Sequence, residues 1–494
     1  MSDTATGDKV GGHRPLVEVH SIDYIPMAER HGKARDQFTL WFASDAELAT
    51  LAVGLIGITL GLSLPWTLVA AFVGLGFGTF FMAFHSVQGP RMGIPQMLQS
   101  RPQFGYYGAL LPQAIAVLLF VGFNVFNTII AATALHAVIS IAVPVTVVIA
   151  ALGGLLFAYG GYDWIHFIQR WGTYIFVVLG GVFTVGVLFT VHLPAVTGGG
   201  LGRFMLTPFL VVFVAAAAYQ ISSAPYVSDY SRYLDRKVTA RQCFLWTYAG
   251  AMVGAFWMIA LGGLLLAAHP TAQTVSVVGI AGNHILSGFG SVILVLGFLM
   301  LLGTVALNMY SGSEALLAMV DTVKRVKPRL IFRVSTVLLI TVLATAGALA
   351  LPANFLTAYS NFLTILLYFL IPWTAVNLVD FYLVRRGRYA VMEIFKVNGI
   401  YGRWQWRGLW AYALGFCLMI PFMSTAVFTG PVANALHGAD LSVFVGLPVA
   451  AGFYYLFSRD LEIIQEHILA DSNAQELEEL RAEPDTGFGS APGS

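Results

Sequence analysis

Two carboxylic acids, Asp45 and Glu47, stand in Trp41-Phe-Ala-Ser-Asp-Ala-Glu-Leu48, at the front of an apolar run that continues to Leu62. An ionisable side chain in hydrocarbon costs roughly 3 kcal/mol or more unless it faces a polar cavity, so these acids are the first place to look for chemistry. A helix starting near Phe38 would carry both about 10 Å into a membrane, at about 1.5 Å rise per residue. Starting the helix at Leu48 would leave them in water, but only about seventeen residues would then remain before Pro65-Trp66, the lower limit for crossing. Burial is therefore the expectation. A carboxyl withdrawn from water can bind a cation, or load and release a proton near neutral pH.

A second interruption lies at Tyr219-Gln-Ile-Ser-Ser-Ala-Pro225, inside another apolar run. Pro225 removes a backbone donor and disfavours helix at Ala224, freeing carbonyls and amides; a simple proline kink is the alternative. Interrupted helices at corresponding places in two halves of a chain point to an inverted-repeat transporter whose site lies between them. Phe120, Phe123, Asn124 and Asn127 fall at helical spacing along one side of a third run. Rings there can stack on a flat heterocycle while Asn124 or Gln220 offers donor and acceptor to its edge; a packed core stripe with interhelical amide bonds is the plainer reading. Gly303-Thr304 and Asn308-Met-Tyr-Ser-Gly-Ser-Glu314 place hard oxygen ligands on a fourth run. Glu314 reads equally as a coupling carboxylate or as the polar end of that helix.

Other chemistries find little support. The chain contains no GxSxG, HExxH, GxxxxGK[ST] or metal-spaced Cys/His set, and its eleven histidines are scattered. Cys243 and Cys417 belong to no CxxC. Gly74-Leu-Gly-Phe-Gly78 has no strand before it and reads as small-residue helix packing, not a dinucleotide loop. Asp163, Asp229 and Asp380 read as lone charges near helix ends that fix topology or gating.

The elements that must position these residues are membrane helices. Of 494 residues, 57% are apolar and 10% charged, against roughly a quarter charged in a soluble domain. The net charge of +1 gives no field for nucleic acid. Apolar runs predict twelve spans, near 37–62, 64–85, 108–138, 142–159, 164–191, 205–229, 241–268, 286–320, 332–350, 355–384, 408–428 and 437–457. Residues 1–36 read as a cytoplasmic segment without a cleavable signal, 37–457 as the transmembrane domain, and 458–494 as an acidic tail with a short helix and a disordered end. With the N-terminus inside, only Arg203 of 26 Lys and Arg residues lies on the opposite side, which fits a multi-pass inner-membrane protein with both termini cytoplasmic. Trp41, Trp66, Trp164, Trp246 and Trp410 lie near span ends, where rings favour the headgroup zone.

The chain resembles the purine and cytosine permeases of the nucleobase-cation symporter group from about His20 to Leu456. The resemblance rests on His20-Ser-Ile-Asp-Tyr-Ile-Pro with Glu29-Arg-His-Gly-Lys33, Gln88-Gly-Pro-Arg-Met-Gly with Gln99-Ser-Arg, and Phe104-Gly-Tyr-Tyr-Gly-Ala-Leu-Leu-Pro112. Ser228-Asp-Tyr-Ser-Arg-Tyr233 and Pro372-Trp-Thr-Ala-Val-Asn-Leu-Val-Asp-Phe-Tyr-Leu-Val-Arg385 complete it. It implies an all-α membrane fold: ten core helices in a five-plus-five inverted repeat with two broken helices, plus two more. It implies substrate contacts at Phe120, Phe123, Asn124, Gln220 and Ser222, with Asp45, Leu48 and Asn308 beside them. A cation site falls by the same resemblance at Ser44, Glu47, Gly303 and Thr304. Phe123 stands where some relatives carry Trp, Phe120 where some carry Gln, and Asp45 where close relatives show Asn. That last carboxylate sets proton coupling beside sodium coupling.

The expected function is thus secondary import of a nucleobase or related heterocycle with Na+ or H+, needing no cofactor, no obligate protein partner and no setting but the lipid bilayer. A polytopic membrane enzyme would gather Asp, His or Glu near one interface. A channel or a transporter-like sensor would bind without gradient-driven uptake.

Overall fold

The computed structural model describes residues 24–479 except 31, 160–161, 192–200, 236, 271–274, 325–329 and 352–353. His20 to Asp23 of the N-terminal motif, the side chains of Asp163, Trp164 and Arg170, and the tail end expected to be disordered lie outside the described residues. The described residues are mainly helical, in the order α1 (Asp36–Asp45), α2 (Leu48–Thr59), α3 (Leu64–Ser86), α4 (Leu110–Ile139), α5 (Val143–Tyr159), α6 (Tyr162–Thr190), α7 (Leu206–Ile221) and α8 (Val227–Ser231). There follow α9 (Ala240–Ala268), α10 (Ser276–Ile285), α11 (Phe289–Val323), α12 (Leu330–Ala350), α13 (Phe355–Val379), α14 (Trp406–Met419), α15 (Ser442–Ser458) and α16 (Ile463–Glu479). Among the described residues seven helices are individually long and apolar enough to cross a membrane, with an eighth span when α1 and α2, bent by 57° at their break, are taken as one. Three of the remaining anticipated spans are held by the shorter apolar helices α5, α7 and α15, and α14 stands where the fourth was expected.

Both expected interruptions are present. At the first, Ala46 and Glu47 leave helical geometry, Glu47 being fully extended at φ −139° and ψ 168°. At the second, α7 stops at Ile221 and the chain turns through Ser222 to Tyr226 before α8. Proline at 225 has no N–H to carry the ladder through, which is the local cause.

Glycines let the broken helices approach their neighbours. A Cβ on Gly74 or Gly78 of α3 would stand 2.4 or 2.3 Å from the carbonyl oxygens of Phe213 and Ala217 on α7. A Cβ on Gly250 or Gly254 of α9 would stand 2.4 or 2.6 Å from those of Phe38 and Phe42 on α1. Each contact pairs the second span of one half with the broken span of the other, through glycines four apart, which is what an inverted repeat demands. Helices α4, α5, α11 and α12 pack into a second layer, and α13 bridges it to the α14–α15 pair.

Trp41 departs from the headgroup role expected of it. It is fully buried and packs against Tyr226 and Tyr230, because α1 is enclosed by α8 and α9 there rather than by lipid. Trp246 and Trp410 do stand exposed.

Candidate functional site

Asp45 and Glu47 flank the bend of the first span, and both are buried, at 4% and 5% exposure. The carboxylate of Asp45 accepts a hydrogen bond at 3.0 Å from Gln220 Nε2, in the last turn of α7. The two broken helices are therefore tied directly to each other at their breaks. Glu47 points the other way, its Oε2 accepting at 2.7 Å from the Thr304 hydroxyl on α11. Among the described residues neither acid has a cationic partner in an ion pair. Two anions two residues apart in a water-excluded place are costly unless a proton or bound cation neutralises them.

An aromatic wall stands beside them. Phe123 on α4 packs edge-on against Tyr219 of α7 at 6.2 Å and against Phe362 of α13 at 5.3 Å. Phe120, one turn earlier, lies 5.3 Å from Tyr226 in the second break. On the same face of α4, Asn124 is fully buried with neither amide atom hydrogen-bonded among the described residues, and Asn127 Oδ1 is likewise unpaired among them. Gln220 Oε1 and the Tyr359 hydroxyl are also buried without a partner. Unmet donors and acceptors beside rings are what a polar, planar ligand satisfies; left empty, each such atom costs about 1–3 kcal/mol.

The anticipated residues do not all converge equally. Asp45 with Gln220, and Glu47 with Thr304, are brought into contact. Gly303 is buried beside Thr304, and Asn308 lies one turn further along α11. Ser222 folds its hydroxyl back onto the Tyr219 carbonyl at 2.5 Å. Leu48 packs on α11 at Gly297, where a Cβ would clash with it. Ser44, half-buried in the last turn of α1, has no hydrogen bond to α11 among the described residues. Tyr219, Thr50, Tyr359 and Phe362 were not singled out by their spacing. Thr50 and Tyr219 share a buried hydrogen bond of 2.5 Å between the two broken spans, and only the position of Tyr219 at the mouth of a break signals it.

Two of the three supposed lone charges are partnered. Asp229 accepts from the Gln96 backbone N–H at 2.7 Å. Asp380 is the centre of a buried hub, receiving Gln103 at 2.6 Å, Tyr389 and Tyr454 at 2.8 Å each, and paired with Arg385. The α13 helix closes there in a π-helical turn, Asp380–Val384, that sets these side chains toward α15 and the linkers.

A multi-pass helical body whose two broken spans meet through buried acid and amide groups defines a membrane transporter. Residues 24–446 match the family described as "Permease for cytosine/purines, uracil, thiamine, allantoin", and the chain belongs to that family. It is a permease of the nucleobase-cation symport group and not an enzyme. It is 37% identical over 452 residues to the "Putative purine-cytosine permease YxlA" of Bacillus subtilis, covering 90% of this chain and 96% of that one. It is 28% identical to the purine-cytosine permease fcyB of Emericella nidulans, covering 90% and 89%. The inward-facing structure of Mhp1 superposes with a TM-score of 0.74 at 18% identity, over 93% of this chain and 98% of that one. The fold is thus the five-plus-five inverted-repeat transporter core.

Proposed function

We propose that this chain imports a nucleobase or a related heterocycle across the cell's inner membrane, driven by a proton or a sodium ion and working by alternating access. Residues 37–457 form the transport domain, flanked by a cytoplasmic segment and an acidic cytoplasmic tail. With twelve spans as read from the sequence, arginine and lysine fall on one side and Arg203 alone on the other, which supports both termini being cytoplasmic. The base lies between Phe120, Phe123 and Asn124 of α4 and the breaks at Asp45 and Gln220–Ser222, with Leu48 and Asn308 close by. The cation is held by Glu47 and Thr304, with Ser44 and Gly303 supplying further oxygens.

The observation that carries this reading is the direct Asp45–Gln220 hydrogen bond. A ligand on Gln220 acts on one broken helix and a cation on the Asp45–Glu47 stretch acts on the other, so each event changes the contact the other feels. That is the differential interaction coupled transport requires. The carboxyl of Glu47 makes a proton the first cation to test.

The test is thermal unfolding of the purified protein with cytosine, purines, uracil, allantoin and hydantoins, each with and without sodium and at two pH values. Ligand that binds only the folded state at a hundred times its Kd adds about 2.7 kcal/mol. Stabilisation by one base, strengthened by acid or by sodium, names substrate and cation together. Absence of stabilisation by every heterocycle overturns the reading.

A further inference from the structure

The rings of His269 and His284 stand with their centroids 5.4 Å apart and their planes at 55°. His269 is the first residue past α9 and is half-buried. Its Nε2 is enclosed, with no hydrogen-bond partner among the described residues. His284 lies exposed in the last turn of α10. Two imidazoles on one tetrahedral zinc, with Zn–N of about 2.0–2.1 Å, hold their ring centroids roughly 5 Å apart. The observed spacing is therefore that of two ligands on one ion, and an ion would satisfy the enclosed nitrogen that the protein leaves unmet.

The pair also spans a boundary. Helix α9 packs on α1, α2 and α3, in the layer of broken helices, whereas α10 packs on α6 and α11. Close backbone contact fixes α10 to the start of α11. A Cβ on Gly290 would stand 2.1 Å from the Gly279 carbonyl oxygen, and the Gly290 N–H donates to Asn283 Oδ1 at 3.2 Å. His284 is thereby tied to α11, the helix of Thr304, and His269 to α9. Helix α9 starts beside Arg241 on the side taken above as cytoplasmic, so its His269 end lies on the external face.

We propose that His269 and His284 form a site for a divalent transition metal, Zn2+ being the first to test, and that the bound ion ties the two layers together on the external face. Imidazole suits zinc and copper, whereas magnesium and calcium take oxygen ligands that this pair does not offer. Among the described residues no third His, Cys, Asp or Glu completes a set with them. Water fills the remaining positions, so the metal binds reversibly rather than as a structural ion. An ion there brakes any rocking of one layer against the other. The brake rests on the transport function proposed above; the site itself does not.

Binding of zinc alone is measured by competition with a chromophoric chelator on the tag-free full chain in lipid nanodiscs, with empty discs and magnesium as controls. The wild type should take up one zinc per chain. His269→Ala and His284→Ala should each weaken that binding by roughly 100-fold or more, the gain that a second linked ligand gives. His437→Ala, at another exposed histidine, should leave it unchanged. Melting temperatures equal to wild type without zinc show that the variants are folded, and His284→Cys, which keeps a zinc ligand, should restore binding. Hydrogen exchange in α10 and in the last turn of α9 should slow with zinc in the wild type and not in His284→Ala. No zinc on the wild type, or zinc indifferent to both alanine variants, overturns the site. Binding through both histidines without slower exchange overturns the tie between the layers. None of these measurements uses a transported base, so the site can fail while the transport function stands.

Discussion

Glu47 and Thr304 are 257 residues apart in sequence, yet their side chains meet at 2.7 Å across the boundary between the first broken span and α11. The first lies in the layer of broken helices and the second in the layer of α4, α5, α11 and α12. In the function proposed above, a cation held there would join the two layers and its loss would release them, which makes this contact the place to test for coupling.

Replacing Thr304 by Ala leaves a buried carboxyl oxygen without its donor, at a cost of about 1–3 kcal/mol. Cation activation of uptake in proteoliposomes should therefore weaken roughly 5- to 150-fold, with Thr304→Ser restoring it. Glu47→Gln keeps a hydrogen-bonding group but removes the charge. It should still exchange labelled base for unlabelled base while losing accumulation driven by a proton or sodium gradient. Gradient-driven accumulation by Glu47→Gln at the wild-type level would remove Glu47 from the coupling site.

The Asp45–Gln220 bond links the two breaks, so the two side chains should act as one unit. Asp45→Ala and Gln220→Leu should each lower affinity for the base, and the double variant should lose less than both losses added together. Residues in direct contact show interaction energies of about 0.5–3 kcal/mol in such cycles. Additive losses in ligand-induced stabilisation would mean that the contact does not transmit binding between the breaks.

Where the sequence was readable, a local chemical conflict made it so. Acids inside an apolar run are costly in an ordinary membrane helix, and Pro225 following the polar Gln220, Ser222 and Ser223 marks another conflict, so both breaks were legible, although Pro372 and Pro448 sit inside continuous helices. The α4 stripe was legible because Phe120, Phe123, Asn124 and Asn127 share a helical face, and all four are buried. Contacts between distant elements left no comparable trace. Thr50 looks like any small polar residue in a span until Tyr219 meets it. Leu48 is apolar and next to the break, but the glycine at 297 that draws it onto α11 is visible only in three dimensions. Trp41 was misplaced for the same reason: its distance from a span end says nothing about which helices enclose it.

The glycine pairs give a test of the repeat itself. Gly78→Ala would put a methyl 2.3 Å from the Ala217 carbonyl oxygen, and Gly254→Ala would put one 2.6 Å from that of Phe42. Backbone cannot yield as a side chain can, so each should destabilise by roughly 1–3 kcal/mol and lower the melting temperature. Gly181→Ala meets nothing within 4 Å and should leave it unchanged. Similar losses at Gly78 and Gly254 are expected because they occupy matching places in the two halves; a neutral result at either would break that equivalence.

The acidic tail contributes Glu466 to a buried network of charged and phenolic groups, and its removal should be felt at that end of the fold. Glu466 of α16 accepts from Arg385 Nε at 2.9 and 3.0 Å and from the Tyr401 hydroxyl at 2.7 Å, all buried. Arg385 is 3% exposed and also bonds Asp380, which is fully buried. Burial pushes Glu466 above the ordinary carboxylate range, and the Arg385 guanidinium beside it pulls the other way. Asp380 still compensates the Arg385 charge after this change, but Arg385 Nε and the Tyr401 hydroxyl lose their buried acceptor, at about 1–3 kcal/mol, so Glu466→Ala should lower the melting temperature. Glu466→Gln, which keeps an acceptor for Arg385 and Tyr401, should cost less. Arg388→Ala breaks only the exposed pair with Asp471, at 49% and 70% exposure, and should change stability by about 0–1 kcal/mol. Truncation after Arg459 should match Glu466→Ala if that one side chain anchors the tail. A truncated chain as stable as the wild type would show that α16 only rests against the transport domain.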